Sequence, residues 1–560
     1  MTPGPAGFTA DGTDAQAWDD TVAAVLDALG AEFEVAAERG DAAAGDRRTS
    51  WFDTFDWRLY KAGLALEYAP GRGGSELRLA IAGNKEIVDA DVTQPVTGWQ
   101  AGRPHLLADL AGGAVSARIG GLIAPRALVP VAAASTATTV YRLLNGDRKT
   151  VARLLVSRPR LVSAHQQAPL APRLAIAEVR GYQAQARRAA GVIAAVPSVS
   201  TTTEPLFAEA LRALGRRPGD YSNKVDAVIT AGMAAAGAAA AILLRLLETV
   251  DANVAGVLAD IDTEFLHDLR VSVRRTRSAL KLFGDSLTGL SRQEVAFFAA
   301  EFKWVGDLTT PTRDLDVHLL DFEETARGLS AAKPDDLEPF RGYLEQRRRR
   351  EFRALGRGLR SDRFKTLTSE WRARLTTVQE GSGGSARGSS RRSGQLGKAA
   401  GGTAGILAAE RTRVTFAKVA RRGAAITADS PAESLHDLRK RCKELRYALE
   451  FFAPLHDQAA SVKVVGDLKR LQDCLGEFQD TEIQIAEIRA LAAAMLAAGE
   501  APAVTLLAMG EITAGLAARQ RVARADFERR FAAFAGMEGQ RRMSALLRGR
   551  YRANADIRDL

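Results

Sequence analysis

Cysteine is nearly missing from this sequence: Cys442 and Cys474 are the only two in 560 residues. That excludes a disulfide framework and a thiolate zinc site, and makes a reducing compartment the expected setting. Aromatic residues make up 6% of the chain, too few for a surface that recognises bases by stacking. The N-terminus, MTPGPAGFTADGTDAQAWDD, lacks both a basic segment and an apolar one, so the protein is expected in the cytoplasm. The longest uncharged stretch, Ala227 to Leu244, has eighteen residues of which nine are alanine. It reads as a close-packed bundle helix, and no membrane partner is expected.

What is present is a 46% hydrophobic chain of mean hydropathy −0.11, which excludes wholesale disorder. The net charge of +10 is unevenly placed: up to residue 220 there are 24 basic and 23 acidic residues, and afterwards 53 and 44. A basic excess confined to one region predicts a polyanionic partner there.

Up to about residue 200, short β-branched and apolar runs alternate with Gly and Pro, as in ALVPVAA, TTVYRLL and TVARLLV, with helical stretches such as Asp19 to Leu29. This predicts an α+β domain over 1–200. From 221 to 550 long segments of Ala, Leu, Arg and Glu predict an all-α bundle, interrupted at 380–405 by a flexible insert of Gly, Ser and Arg. The halves, 221–379 and 406–550, contain an internal repeat. EFLHDLRVSVRRTRSALKLF from Glu264 returns as ESLHDLRKRCKELRYALEFF from Glu433, at an offset of 169 residues. A second pair, KWVGDLTTPTRDLDV and KRLQDCLGEFQDTEI, matches Lys303 with Lys469, Asp307 with Asp473 and Asp314 with Asp480. Two matches in the same order predict duplication of a multi-helix unit.

In the first repeat the motif places His267, Arg270, Arg274 and Arg277 within an arc of about 80° and about 15 Å of helix. In the second it does the same with His436, Arg439, Lys443 and Arg446. Leu269, Val273 and Leu280, with Leu438, Cys442 and Leu449, form an adjoining apolar stripe. A charged helix face is ordinarily plain solvated surface, but such a face has no reason to keep this cationic pattern in register twice. Like charges at these spacings repel, and a bound anion removes that cost. Arginine forks match phosphate oxygens, lysine adds a point charge, and histidine donates from either ring nitrogen. The remaining histidines, His105, His165, His318 and His456, are read as core or capping residues, both cysteines as small core residues, and Arg347–Arg350 as solvated surface.

These helices resemble the two signature helices of the conserved-histidine α-helical domain, CHAD, over about residues 221–550, and Arg313-Asp314-Leu315-Asp316 resembles that family's Arg-Asp-Leu-Asp element. The resemblance implies two pseudo-symmetric four-helix halves that bind inorganic polyphosphate through a basic channel or surface. Its ligand contacts would fall to His267, Arg270, Arg274, Arg277, Lys303 and Arg313, and to His436, Arg439, Lys443, Arg446 and Lys469. Thr49 to Tyr68 resembles a segment of the CYTH domain, a triphosphate tunnel fold. That family opens with a metal-binding Glu-x-Glu-x-Lys strand. The nearest counterpart here, Glu32-Phe33-Glu34-Val35-Ala36, lacks the lysine, and the strand is absent altogether if Asp19 to Leu29 is the helix that follows it.

The expectation is therefore a degenerate, non-catalytic tunnel-like domain followed by a duplicated helical bundle that binds polyphosphate, with possible association with polyphosphate granules. No catalytic residue, metal or cofactor is expected, and Arg58, Lys61, Arg142, Arg148 and Lys149 are secondary phosphate candidates. The alternatives are a metal-dependent triphosphatase or polyphosphatase using Glu32, Glu34 and Asp53, and nucleic-acid binding by the bundle.

Overall fold

Strand-forming segments in the first 220 residues pair into a single antiparallel sheet. The computed structural model describes residues 7–10, 15–38, 44–71, 74–81, 92–163, 167–383 and 402–548, in two compact units, Met1–Ser222 and Asn223–Leu560. In the first unit the strands are β1 (Gly7–Ala10), β2 (Glu34–Ala37), β3 (Ala44–Thr54), β4 (Leu64–Gly71), β5 (Gly74–Ile81) and β6 (Val92–Val96). They continue with β7 (Leu128–Leu144), β8 (Thr150–Val162), β9 (Gln167–Pro169), β10 (Arg173–Glu178) and β11 (Val199–Thr202). The two short runs around Pro130 and Tyr141 fuse into one strand, β7, which β8 pairs from Ala134 to Leu144 and β3 from Leu128 to Thr139. The order is β11-β1-β10-β8-β7-β3-β4-β5-β6, with β2 beside β7 and β9 beside β8. Among the described residues this path has two open ends, so hydrogen bonding does not close it into the expected barrel.

Helices α1 (Ala15–Gly30), α2 (Arg58–Lys61), α3 (Ala114–Ile123), α4 (Gln183–Ala194) and α5 (Leu206–Ala213) cover the sheet. Trp18, Val25 and Leu29 of α1 and Ile193 of α4 pack on Leu154, Val156, Leu174 and Ile176. Ile119 and Ile123 of α3 pack on Phe52, Leu66, Leu77 and Leu79. The neighbouring Trp51, on the opposite face by strand alternation, meets Phe207 and Leu211 of α5.

The second unit is helical: α6 (Ala235–Leu258), α7 (Thr263–Phe283), α8 (Arg292–Leu320), α9 (Phe322–Arg327), α10 (Glu338–Arg360) and α11 (Asp362–Gly383). It continues with α12 (Ala404–Ala424), α13 (Ala432–Phe451), α14 (Gln458–Ala497), α15 (Ala503–Ala535) and α16 (Met537–Arg548). The alanine-rich stretch is only partly helical, for α6 begins at Ala235, and no helix among the described residues is long and apolar enough to cross a membrane. Of the expected insert at 380–405, residues 384–401 lie outside the described residues, as does His165. Helix α7 starts where Asp262 accepts the backbone N–H groups of Glu264 and Phe265, at 2.9 and 3.2 Å. It lies close against α6 because Gly256 has no side chain: a Cβ there would stand 2.2 Å from the Phe265 ring. Serine 291 and Glu294 close a reciprocal cap at the start of α8.

In the first unit the Asp-Thr-Phe-Asp segment builds a turn. Buried Asp53 accepts backbone N–H groups from Thr54, Leu59 and Tyr60 at 2.7, 2.9 and 2.9 Å. The turn holds Trp57 at φ 62°, a left-handed conformation that disfavours side chains, while its indole donates to Asp220 at 2.7 Å. Burial pushes the Asp53 carboxyl up to about 6, against the pull of those three donors. The folded state therefore holds this proton more tightly than the unfolded chain, and the stability Asp53 contributes is full below about pH 4 and is lost as pH rises through 6. Asp53→Asn leaves the Tyr60 N–H without its acceptor and is expected to cost about 1–3 kcal/mol. Hydrogen exchange across residues 54–62 should speed up accordingly; unchanged exchange would show that the carboxylate does not hold the turn.

Candidate functional site

The repeated motifs occupy α7 and α13, and their 3.6-residue period turns Leu269, Val273 and Leu280, and Leu438, Cys442 and Leu449, into the core. Cys442 is wholly buried and its thiol is pushed up to about 12 by burial. Cys474 donates to the carbonyl of Ala523 at 3.2 Å. On the flanking face His267, Arg270, His436, Arg439 and Lys443 are half-buried, whereas Arg274, Arg277 and Arg446 are exposed.

The ridges are partly neutralised in a repeated way. Arg270 stands 4.0 Å from Asp314 of α8, and its counterpart Arg439 stands 2.8 Å from Asp480 of α14. Arg270 also donates to Thr310 and to the Gly306 carbonyl. Arg313 lies 3.9 Å from Glu264 and donates to the carbonyl of Thr263. Arg446 is held by Glu450 at 2.6 Å. Lys303 pairs with Asp307 one turn away at 2.6 Å, and Lys469 projects as an exposed residue of α14.

The two ridges come within electrostatic reach of each other. Lys443 is pushed down to about 8, first by burial and then by Arg439 and by Arg274 of the other repeat. Arg274 also acts on His267 and Arg270. His267 is lowered by burial and then by Arg313, and His436 by burial and then by Lys440 and Arg439. Both imidazoles thus favour their neutral forms at pH 7.

Sequence reading missed the contact that joins α7 to α13. Arg275 donates to Glu450 at 3.0 Å, and Lys281 pairs with Glu444 at 2.5 Å. At the repeat offset of 169, Arg275 is the counterpart of Glu444 and Lys281 of Glu450. Each pair is therefore the mirror of the other, as in a two-fold contact in which i meets j and j meets i. Phe283 closes the contact on Phe451 and Phe452, with ring centroids at 5.7 Å in both cases. The signal in the sequence was opposite charge at matched positions, which a search for identities passes over.

In the first unit the candidate carboxylates do not converge. Glu32 pairs with Arg188 at 2.5 Å and Glu34 with Arg148 at 3.0 Å, while Asp53 is spent on its turn. A strand does precede α1, against expectation, but β1 reads Gly-Phe-Thr-Ala and holds no acid. Among the described residues no group of three or more His, Cys, Asp or Glu is placed to hold a metal ion. Arg58 is engaged with Asp56 and with the carbonyls of Ile123 and Ala124, Lys61 with the Asp56 carbonyl, and Lys149 with Asp147. Arg142 stands opposite Arg153 across β7 and β8. His105 stacks on Trp99 with centroids 3.7 Å apart, His318 meets Glu487 at 3.1 Å, and His456 is buried and pushed down to about 4.

Residues 241–489 match the family model of the CHAD domain, and the chain carries that domain there. The solved CHAD domain from the plant Ricinus communis is similar at 25% identity, over 56% of this chain and 96% of that one, with a TM-score of 0.45. PptA from Streptomyces chartreusis is similar at 17% identity, over 51% of this chain and 97% of its own, with a TM-score of 0.33. No curated protein matches the sequence.

The α7–α13 contact is open to a double-mutant cycle. Arg275→Ala and Glu450→Ala should show a coupling of about 1 kcal/mol or more, since neighbours in one network couple by roughly 0.5–3 kcal/mol. Lys281, 64% exposed, should couple to Glu444 by less than about 1 kcal/mol. Additive losses for both pairs in thermal unfolding would remove the contact as a determinant of the arrangement.

Proposed function

We propose that the facing ridges of α7 and α13 bind inorganic polyphosphate without catalysing its hydrolysis. The observation that carries this reading is the contact of α7 with α13 through Arg275–Glu450 and Lys281–Glu444, which brings exposed Arg274 of one repeat within electrostatic reach of half-buried Lys443 of the other. Such a concentration of positive charge is costly alone and is relieved by a polymer of phosphates. His267, Arg270, Arg274, Arg277 and Arg313 would contact the chain from the first repeat, and His436, Arg439, Lys443 and Arg446 from the second. Lys303 and Lys469 would hold it farther out. The matched pairs Arg270–Asp314 and Arg439–Asp480 support descent of the two halves from one duplicated unit.

The resemblance of Thr49 to Tyr68 to the tunnel family supports reading the first unit as a degenerate relative. Its use as a metal-dependent triphosphatase is disfavoured by carboxylates already committed to Arg188, Arg148 and the Asp53 turn. Single-stranded nucleic-acid binding is disfavoured by ridges that carry no aromatic residue. Residence in the cytoplasm and association with polyphosphate granules are compatible with this reading of the ligand.

Binding should weaken steeply with salt, because bound phosphates release counterions. Changing Arg270, Arg274, Arg439 and Lys443 together to alanine should lower affinity for long-chain polyphosphate on the order of 100-fold, four solvent-screened charge contacts of roughly 0.7 kcal/mol each having been removed. A flat salt response, or equal binding by both proteins, would overturn the proposal, and stronger competition from RNA or DNA would redirect it. The pH dependence has a definite sign. Affinity should fall between pH 7 and 9 as Lys443 loses its proton, and rise below pH 6.5 as His267 and His436 gain theirs. Lys443→Arg should flatten the alkaline limb in calorimetric titrations.

A further inference from the structure

The run Arg347–Arg350, read from sequence as surface without a role, divides in the structure. Arg348 turns inward to Asp316 at 2.6 Å and Asp260 at 2.7 Å. Arg349 lies 3.7 Å from Glu345, one turn back, and at the start of α10 Arg341 meets Glu323 at 2.5 Å. Arg347, Arg350, Arg353, Arg357 and Arg360 are different: all five are exposed, and none forms an ion pair with a described residue. On the helical wheel they fall within an arc of about 140°, roughly opposite Leu344, Leu355 and Leu359, and span about 20 Å. No carboxylate occupies that arc.

An ordinary solvated helix face mixes signs and pairs them at i,i+3 or i,i+4. Several helix faces of this unit follow that rule, as where Asp526 pairs with Arg529 and Arg530, or Glu538 with Arg542. The α10 face breaks it, with neighbouring arginines three and four apart repelling one another. None of these five arginines lies on α7 or α13, and α10 packs chiefly on α8, so the face is a set of cations apart from the ridges.

We infer that the outer face of α10 is a second binding tract for inorganic polyphosphate, so that one protein molecule engages a chain, or two chains, at two places. This rests on the reading of the α7 and α13 ridges as a polyphosphate site. The ligand is the same because the chemistry is the same: arginine forks in a row along a straight helix, a match for repeated phosphate oxygens. The arc has no exposed aromatic residue on which bases would stack. Two separated tracts make the protein a cross-linker of long chains and raise its avidity for them over short ones.

The test uses the full chain in three forms: wild type, a stripe variant with Arg350, Arg353, Arg357 and Arg360 changed to glutamine, and the four-alanine ridge variant. Short polyphosphate should bind the wild type and the stripe variant with affinities within about twofold, the ridges being intact. Long-chain polyphosphate should raise light scattering with the wild type and not with the stripe variant. Lysine at the same four positions should restore scattering, which separates lost charge from lost folding. In the ridge variant a weaker binding should persist, with log K falling against log salt at a slope of about 3.5, the value for five phosphates on a single-stranded polymer. Equal scattering by wild type and stripe variant overturns the second tract. So does a stripe variant that loses only duplex DNA or RNA binding, which would assign the face to nucleic acid. If instead the ridge variant keeps full affinity and the stripe variant loses it, the α10 tract stands and the ridge reading fails.

Discussion

Repulsion among cations on neighbouring helices is the constraint around which the helical unit is arranged. Four basic side chains on one face of α7 and four on α13 would drive these helices apart if nothing offset them. The offset is partial and placed with regularity: Asp314 beneath Arg270, Asp480 beneath Arg439, Glu450 beside Arg446 and Glu264 near Arg313. Carboxylates hold the inner, half-buried guanidinium groups, where an unpaired charge would be most expensive, and leave Arg274 and Arg277 open to solvent. The result is a face whose inner cations are neutralised and whose outer ones are not.

The contact between α7 and α13 joins the two copies of the repeated sequence. Two identical helices meeting about a two-fold axis would bring Arg275 against Lys281 of the other copy, cation against cation. The second repeat carries Glu444 and Glu450 at those places, so the first repeat supplies both cations and the second both carboxylates. Opposite charge at matched positions both attracts the unlike pair and disfavours the like one. Packing of Phe283 on Phe451 and Phe452 adds apolar contact to a charge pattern that already specifies the partner.

The first unit shows a motif put to structural use. Asp53 and Asp56 lie in a segment that resembles part of a phosphate-processing fold, but Asp53 is buried against three backbone N–H groups and Asp56 is held by Thr54 and Arg58. Carboxylates used in this way organise a turn around buried Trp57. Chemistry on a triphosphate would require them to converge with Glu32 and Glu34, and each of those is tied to its own arginine, Arg188 of α4 and Arg148 of the β7–β8 connection.

Periodicity alone determined much of this protein. The three-and-four spacing of Leu269, Val273 and Leu280 against His267, Arg270, Arg274 and Arg277 sets α7 as an amphipathic helix, and the same spacing sets α13, because a helical period assigns each residue to a face whatever surrounds it. Short β-branched and apolar runs likewise marked the strands β7 and β8. Tertiary structure decided the rest. That α6 starts at Ala235 instead of Ala227, that the two ridges meet through Arg275–Glu450 and Lys281–Glu444, and that Arg348 turns inward while Arg350 does not, all depend on partners more than fifteen residues distant, or on which side of a helix the core happens to lie. A sequence pattern states which side chains share a face; only packing states what that face meets.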